Sequence, residues 1–154
     1  MPGCFLDTSA LAKLYHAEEG SAVVEELAGT PDTLLVISQL SLVEIQSVFA
    51  GKVRTRVIPA SALDQLRGRF YADLAEGRLQ MAILRARHWT LAESFIREHA
   101  VRQSLRTLDA LQLAVAVDLH RRNIITTLVA SDRNLCAVAM SQGMKILNPL
   151  ETAG

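Results

Sequence analysis

Four acidic residues stand at positions from which their side chains can reach one place in a folded chain. Asp7 and Asp132 each come directly after an apolar segment, and Glu44 and Asp109 each lie close to the start of a segment with helical spacing. Carboxylates at close range repel one another unless they are protonated or bind a cation. Because no Cys or His cluster with zinc-ligand spacing accompanies them, such a group favours Mg²⁺, or alternatively Mn²⁺.

A divalent ion held by these carboxylates would act on phosphates. It lowers the pKa of a bound water and shields the charge that develops on the phosphate, and two ions about 3.5 to 4 Å apart would hold both the attacking and the leaving oxygen. The number of ions stays open. We therefore predict phosphodiester hydrolysis, with Asp7, Glu44, Asp109 and Asp132 as the catalytic and metal-binding residues.

The elements that must position these acids alternate between strands and helices. Strands are predicted at Gly3–Asp7, Leu34–Ile37, Ile124–Val129 and Met144–Leu147, with a weaker one at Leu79–Leu84. Parallel neighbours need a crossover helix, so the pattern indicates an α/β fold with a mostly parallel sheet covered on both faces. Strand ends and helix starts then share one rim, where open α/β sheets bind ligands.

Each acid also has a simpler interpretation as part of a helix cap. Glu44 stands three residues after Ser41, as in a capping box, and Asp109 favours the dipole of its own helix. Asp132 can cap the helix that follows it, and Asp7 can form an Asx turn into the first helix. A shared site is favoured because all four positions are expected on one rim.

The middle of the chain is less regular. A helical segment begins near Pro59 and ends at Gly77, and the spacing of Thr90 and Glu93 predicts a capping box at the start of another helix. The region from about Pro59 to Ala100 therefore does not follow a strict alternation of strands and helices.

Composition sets broad limits on the protein. The 154 residues fit one domain, predicted over residues 1–154, and 50% apolar with 5% aromatic residues indicates an aliphatic core. Sixteen basic and sixteen acidic residues give no strongly basic surface overall, although the chain is acidic at its start and basic in its middle. Only two Cys residues occur, and no apolar segment is long enough to span a membrane, so a cytoplasmic protein is expected.

At these residues the sequence resembles a PIN domain, specifically the VapC-like ribonuclease toxins of bacterial toxin–antitoxin pairs. The resemblance runs from about Gly3 to Pro149, nearly the whole chain. The four matching segments, in this order, are Phe5–Tyr15, Ser38–Glu44, Leu108–Ala114 and Val129–Leu135.

The resemblance implies a three-layer α/β/α fold and Mg²⁺-dependent cleavage of RNA, often at a defined loop. It also implies inhibition by an antitoxin and assembly as a homodimer. The family's acidic positions fall on the four residues named above, with Thr8 or Ser9 as the hydroxyl neighbour that orients the site. One departure is Ala130, where the family commonly has Thr, and Ser131 is expected to compensate in supporting Asp132.

The basic middle of the chain offers candidate contacts to RNA. Guanidinium groups match phosphate oxygens, and an aromatic ring can stack on a base. A solvated helix face is the simpler explanation of the arginines, and packing is the simpler explanation of the aromatic residues. The candidates are Arg54, Arg56, Arg67, Arg69, Arg85, Arg87, Tyr71 and Trp89.

Other functions compete with this interpretation. A haloacid dehalogenase would need an acid two residues after Asp7, where Ser9 stands, and a receiver domain would need an acid pair before its phosphoacceptor strand. Both are disfavoured. The remaining alternative is a catalytically weak PIN scaffold that binds RNA or a protein without cutting, which the substitution at Ala130 keeps open.

Overall fold

A computed structural model describes residues 3–151 and contains one parallel sheet within them. Every paired strand is parallel to its neighbours, in the order β3-β2-β1-β4-β5. The prediction of an α/β fold with a mostly parallel sheet is confirmed. The strands are β1 (Gly3–Leu6), β2 (Leu34–Ser38), β3 (Gln80–Ala82), β4 (Thr127–Val129) and β5 (Lys145–Leu147).

Helices cover both faces of the sheet, which gives the expected three layers. The first four helices pack on one face and the last three on the other. In the described part of the chain, none of them is long and apolar enough to cross a membrane. They are α1 (Thr8–Ala12), α2 (Ser21–Gly29), α3 (Leu40–Arg54), α4 (Leu63–Ala75), α5 (Ala86–His99), α6 (Thr107–Arg121) and α7 (Arg133–Ser141), with a 3₁₀ turn at Ala60–Ala62.

Two hydrophobic clusters follow from the alternation of side chains along the strands. Phe5 and Val36 face the cluster built with α5, α6 and α7, whereas Leu6 and Ile37 face the cluster built with α1 to α4. Every residue of α6 from 110 to 117 is buried, so the middle of this helix has no side that faces solvent.

The order of the strands creates a crevice at the carboxyl ends of β1 and β4. The chain passes from β1 to β2 and β3 on one side, and then crosses to β4 on the other side of β1. Ligands of open α/β sheets bind at such a reversal of strand order. The backbone N–H of Asp7 donates to the carbonyl of Val129 at 3.1 Å, which joins the two strand ends.

The region from Pro59 to Ala100 contributes a strand to the sheet. The predicted start of its second helix, α5, is wrong. β3 pairs with β2, so the region from Pro59 to Ala100 continues the alternation. The helix begins at Ala86 rather than Thr90, because His88 Nδ1 accepts from the backbone N–H of Arg85 at 2.9 Å. Thr90 is therefore the fifth residue of α5 and not its cap, and its hydroxyl lies 3.5 Å from the carbonyl oxygen of Ala86.

The capping box expected at Ser41 and Glu44 does not form. α3 starts one residue before Ser41, so Glu44 lies in the second turn and not in the first. Both side chains instead contact residues of other elements, as described below. The predicted single domain over 1–154 stays a prediction, since residues 1, 2 and 152–154 lie outside the described residues.

Candidate active site

Asp7 directly follows β1 and caps α1. Its Oδ1 accepts from the backbone N–H of Ala10 and from the Ser9 hydroxyl, each at 2.8 Å. The backbone bond reaches three residues on, so Asp7 is an N-cap rather than the expected Asx turn, whose bond reaches two residues on. Burial raises the pKa of Asp7, the bonds from Ala10 and Ser9 lower it, and the charges of Asp109 and Glu44 raise it; together they take it from 3.8 to about 6. The fold therefore places this carboxylate where its charge is unfavourable without a cation.

Glu44 is held by side chains from two other elements. Its Oε1 accepts from the Thr8 hydroxyl at 3.0 Å and from Gln112 Nε2 at 2.7 Å. The Thr8 hydroxyl also lies 3.0 Å from that of Ser41. Of the two hydroxyl neighbours named from the sequence, Ser9 thus contacts Asp7 and Thr8 contacts Glu44.

Asp109 lies in the first turn of α6, as predicted. Burial raises the pKa of Asp109, and the charges of Asp132 and Glu44 raise it further, while the backbone and charge of Arg106 lower it. Asp109 is therefore close enough to two other acids for their charges to oppose its ionisation.

Asp132 caps α7, as predicted. Its Oδ1 accepts from the backbone N–H of Leu135 at 2.8 Å. The Ser131 hydroxyl is buried and has no hydrogen-bond partner among the described residues, so it makes no bond to Asp132. Ala130 is fully buried and brings no hydroxyl. The expected support from Ser131 is not seen as a direct contact.

All four acids line one cavity of about 570 Å³ over the crevice between β1 and β4. They come from four separate elements, so the convergence expected from the strand ends and helix starts is found. The lining residues are Asp7, Thr8, Ser9, Val43, Glu44, Ser47, Val48, Leu108, Asp109, Gln112, Asp132 and Leu135.

The four carboxylates offer oxygen ligands of the type that a hard divalent cation prefers. In Asp7, Glu44 and Asp132 one carboxylate oxygen accepts hydrogen bonds, and the other oxygen accepts none from the described residues. Oxygen donors of this type suit Mg²⁺. Across residues 3–151, however, no three Asp, Glu, His or Cys side chains stand close enough together to hold a metal ion as they are. Their role as ligands stays a prediction.

Gln112 is a residue of the cavity that sequence reasoning missed. It exposes 4% of its surface and lies among the leucines, valines and alanines of α6. A signal was present, because a glutamine between Leu111 and Leu113, within an otherwise apolar run, must find buried partners.

Several residues considered as RNA contacts have structural partners. Arg69 donates to the carbonyls of Leu14 and Tyr15, Arg67 donates to Gln46, and Arg87 pairs with an aspartate of α6. These bonds favour the structural explanation for the three arginines. The aromatic candidates, Tyr71 and Trp89, are 49% and 57% exposed.

The chain belongs to the PIN domain family, whose model matches residues 4–141. Its fold is similar to that of Mycobacterium tuberculosis VapC20, a toxin described as cleaving the sarcin–ricin loop; the TM-score is 0.64, with 20% identity over 88% of this chain and 94% of that chain. The resemblance to VapC-like toxins thus extends to the fold.

Two further solved structures share this fold. A toxin–antitoxin complex from Klebsiella pneumoniae has a TM-score of 0.61, with 17% identity over 97% of this chain and 99% of that chain. VapBC2 from Rickettsia felis, bound to a promoter DNA fragment, also has 0.61, with 18% identity over 95% and 98%. No curated protein sequence matches the chain.

Proposed function

We propose that this PIN-domain protein is a Mg²⁺-dependent endoribonuclease toxin of a toxin–antitoxin pair, with Mn²⁺ as a possible substitute ion. The proposal rests on the cavity at the crevice between β1 and β4, where Asp7, Glu44, Asp109 and Asp132 converge from distant parts of the sequence. Two of these acids have raised pKa values, caused by burial and by the other carboxylates. A bound cation would relieve that conflict.

The residues of the cavity would divide the work. The four carboxylates would hold the ion, which supplies an activated water and shields charge on the scissile phosphate. Ser9 and the N-terminus of α1 hold one oxygen of Asp7, the backbone N–H of Leu135 holds one oxygen of Asp132, and the second oxygen of each of these two aspartates accepts no hydrogen bond from the described residues. Asp7 and Asp132 are thereby oriented, and each would keep an oxygen for the ion.

The proposed substrate is a loop of a structured RNA. VapC20, which shares the fold, is described as cleaving the sarcin–ricin loop. The exposed side chains of Val43 and Leu108 line the cavity beside the acids, which gives an apolar surface against which an unstacked base can pack. RNA loops present such bases, whereas a paired helix does not.

The proposed protein partners are an antitoxin and a second copy of the chain, in the cytoplasm. The structures from Klebsiella pneumoniae and Rickettsia felis that share the fold are toxin–antitoxin assemblies. An antitoxin would inhibit by covering the cavity that holds the four acids.

A cleavage assay with a matched control tests the proposal. The substrates are a synthetic RNA hairpin with the sarcin–ricin loop sequence and total bacterial RNA, each with Mg²⁺, Mn²⁺ or EDTA. We expect cleavage with either ion and none with EDTA, and Asp109→Asn should lower the rate by about 100-fold or more. Asp64→Asn, at an exposed acid of α4, should cut as the wild type does.

Failure of the folded wild type to cut either RNA, or equal cutting by Asp109→Asn, would contradict the proposal. Binding of RNA without cutting would favour the alternative, a catalytically weak PIN scaffold. One observation supports that alternative: Ser131 makes no bond to Asp132, and Ala130 has no hydroxyl with which to do so.

A further inference from the structure

A buried glutamine joins the sheet to one of the four carboxylates. Gln112 Nε2 donates to Glu44 Oε1 at 2.7 Å, and Gln112 Oε1 accepts from the Ser38 hydroxyl at 2.8 Å. Nε2 also lies 3.1 Å from the Ser41 hydroxyl oxygen and 3.2 Å from that of Thr8. One side chain of α6 therefore bonds to residues from β2, α3 and α1.

Counting the hydrogen atoms of this cluster shows which group donates and which accepts in each contact. Thr8 gives its only hydroxyl hydrogen to Glu44, so in the contact between Thr8 and Ser41 the donor is Ser41. Ser38 gives its hydroxyl hydrogen to the carbonyl oxygen of Gln112, which turns the amide NH₂ toward Glu44. Every chain of donors ends at Glu44 Oε1, and none ends at Oε2.

We propose that Gln112 is a positioning residue that fixes the Glu44 carboxylate in the cavity, with Oε1 bound to protein and Oε2 left for a cation. This inference rests on the proposed function, in which Glu44 is a ligand. Gln112 itself need not touch the ion. It acts through Glu44 and is in turn held by Ser38, a fully buried residue whose hydroxyl makes no hydrogen bond to any of the four acids among the described residues.

Glu44 needs such support more than Asp7 or Asp132 does. Each of those two aspartates has a short side chain fixed by a backbone N–H at the start of its helix. Glu44 has one more rotatable bond and lies in the second turn of α3, where no free backbone N–H is available. Side chains from other elements must supply its donors.

Substitution of the amide separates positioning from packing. Gln112→Met keeps a side chain of similar length but removes both the donor and the acceptor, so Glu44 and Ser38 lose their partner. The matched control is Leu113→Met, a volume-conserving change at the next, fully buried residue of α6. Ser38→Ala removes only the bond that orients the amide, and it serves if Gln112→Met does not fold.

Binding of Mn²⁺ alone to the whole protein, measured by titration calorimetry, is the first readout. We expect the dissociation constant to rise by about 10- to 100-fold in Gln112→Met, because residues that orient ligands have effects of this size. Ser38→Ala should weaken binding in the same direction but less, and Leu113→Met should leave it unchanged. On the RNA hairpin, Gln112→Met should lower kcat while KM stays within about twofold.

A crystal structure of metal-free Gln112→Met gives a readout that does not depend on RNA cleavage. We expect the Glu44 carboxylate to leave its place beside Thr8. An unmoved Glu44, unchanged Mn²⁺ affinity in folded Gln112→Met and Ser38→Ala, or equal losses in Leu113→Met would overturn the positioning role. If the wild type neither takes up Mn²⁺ nor cuts RNA, the proposed function fails. The position of the Glu44 carboxylate in the Gln112→Met crystal would still decide whether Gln112 positions it.

Discussion

Replacing Asp7 with asparagine should stabilise the metal-free protein at neutral pH. Asp7 is 8% exposed, and its pKa is raised to about 6 by burial and by the charges of Asp109 and Glu44. Asparagine retains a side-chain oxygen at the same place, so the bonds from Ala10 and Ser9 can persist. What the substitution removes is the charge, which the fold disfavours.

The size of the effect follows from the two pKa values. In the unfolded chain the pKa is near 3.8 and in the fold it is about 6, so the fold binds the proton more tightly. The stabilisation by this proton is complete below the unfolded value and is lost as the pH rises through 6. The wild type should therefore lose about 3 kcal/mol between low pH and pH 7.5, with about half of this loss reached near pH 5.

Chemical unfolding in EDTA at pH 4, 5 and 7.5 measures the difference. We expect Asp7→Asn to exceed the wild type by about 3 kcal/mol at pH 7.5 and by less than about 1 kcal/mol at pH 4. Asp64→Asn, at an exposed acid, should stay within about 0.5 kcal/mol of the wild type throughout. A variant less stable than the wild type at pH 7.5, or an offset that does not change with pH, would refute this account of Asp7.

Three further predictions concern the ion, the cell and the far side of the fold. Addition of Mn²⁺ should raise the melting temperature of the wild type but not of Asp7→Asn, as measured by scanning calorimetry; equal shifts in both would count against ligation by Asp7. Induction of the chain alone should slow bacterial growth, and Asp109→Asn should restore it at equal soluble amounts by immunoblot. His88→Ala should lower the free energy of unfolding in urea by about 2 to 3 kcal/mol, because this 2% exposed side chain bridges the backbone N–H of Arg85 and the carboxylate of Asp118. Trp89→Ala, at the exposed neighbouring residue, should lower it by less than about 0.5 kcal/mol.

The rim of acids could be predicted because it depends on topology rather than on side-chain detail. Asp7 and Asp132 follow apolar strands, and parallel strands bring their carboxyl ends to one edge whatever packs around them. The start of α6 returns to the same edge, which places Asp109 there. None of these steps needed a distance between side chains.

Helix starts were harder to predict, since residue type does not show which bond a side chain makes. Thr90 and Glu93 have the spacing of a capping box, yet the helix starts at Ala86 because His88 accepts the first free N–H. Ser41 likewise has the right spacing from Glu44 but donates into a buried cluster. In α5 another local capping contact, four residues earlier, sets the start, whereas in α3 contacts with other elements replace the local motif.

Helix capping and metal binding turn out to be compatible uses of the same carboxylates. A cap needs one oxygen of an aspartate, so Asp7 and Asp132 can each orient a helix and still present the other oxygen to the cavity. The N-termini of α6 and α7 also bring partial positive charge, about half a unit for each helix, toward Asp109 and Asp132. Glu44 lies beyond the first turn of its helix, and Gln112 and Thr8 donate to it instead. The four acids can therefore stand at one cavity without a cation, but two of them ionise less readily there. No three of the acidic side chains of residues 3–151 stand close enough to hold a metal ion as they are, so a divalent ion would have to draw the carboxylates closer together.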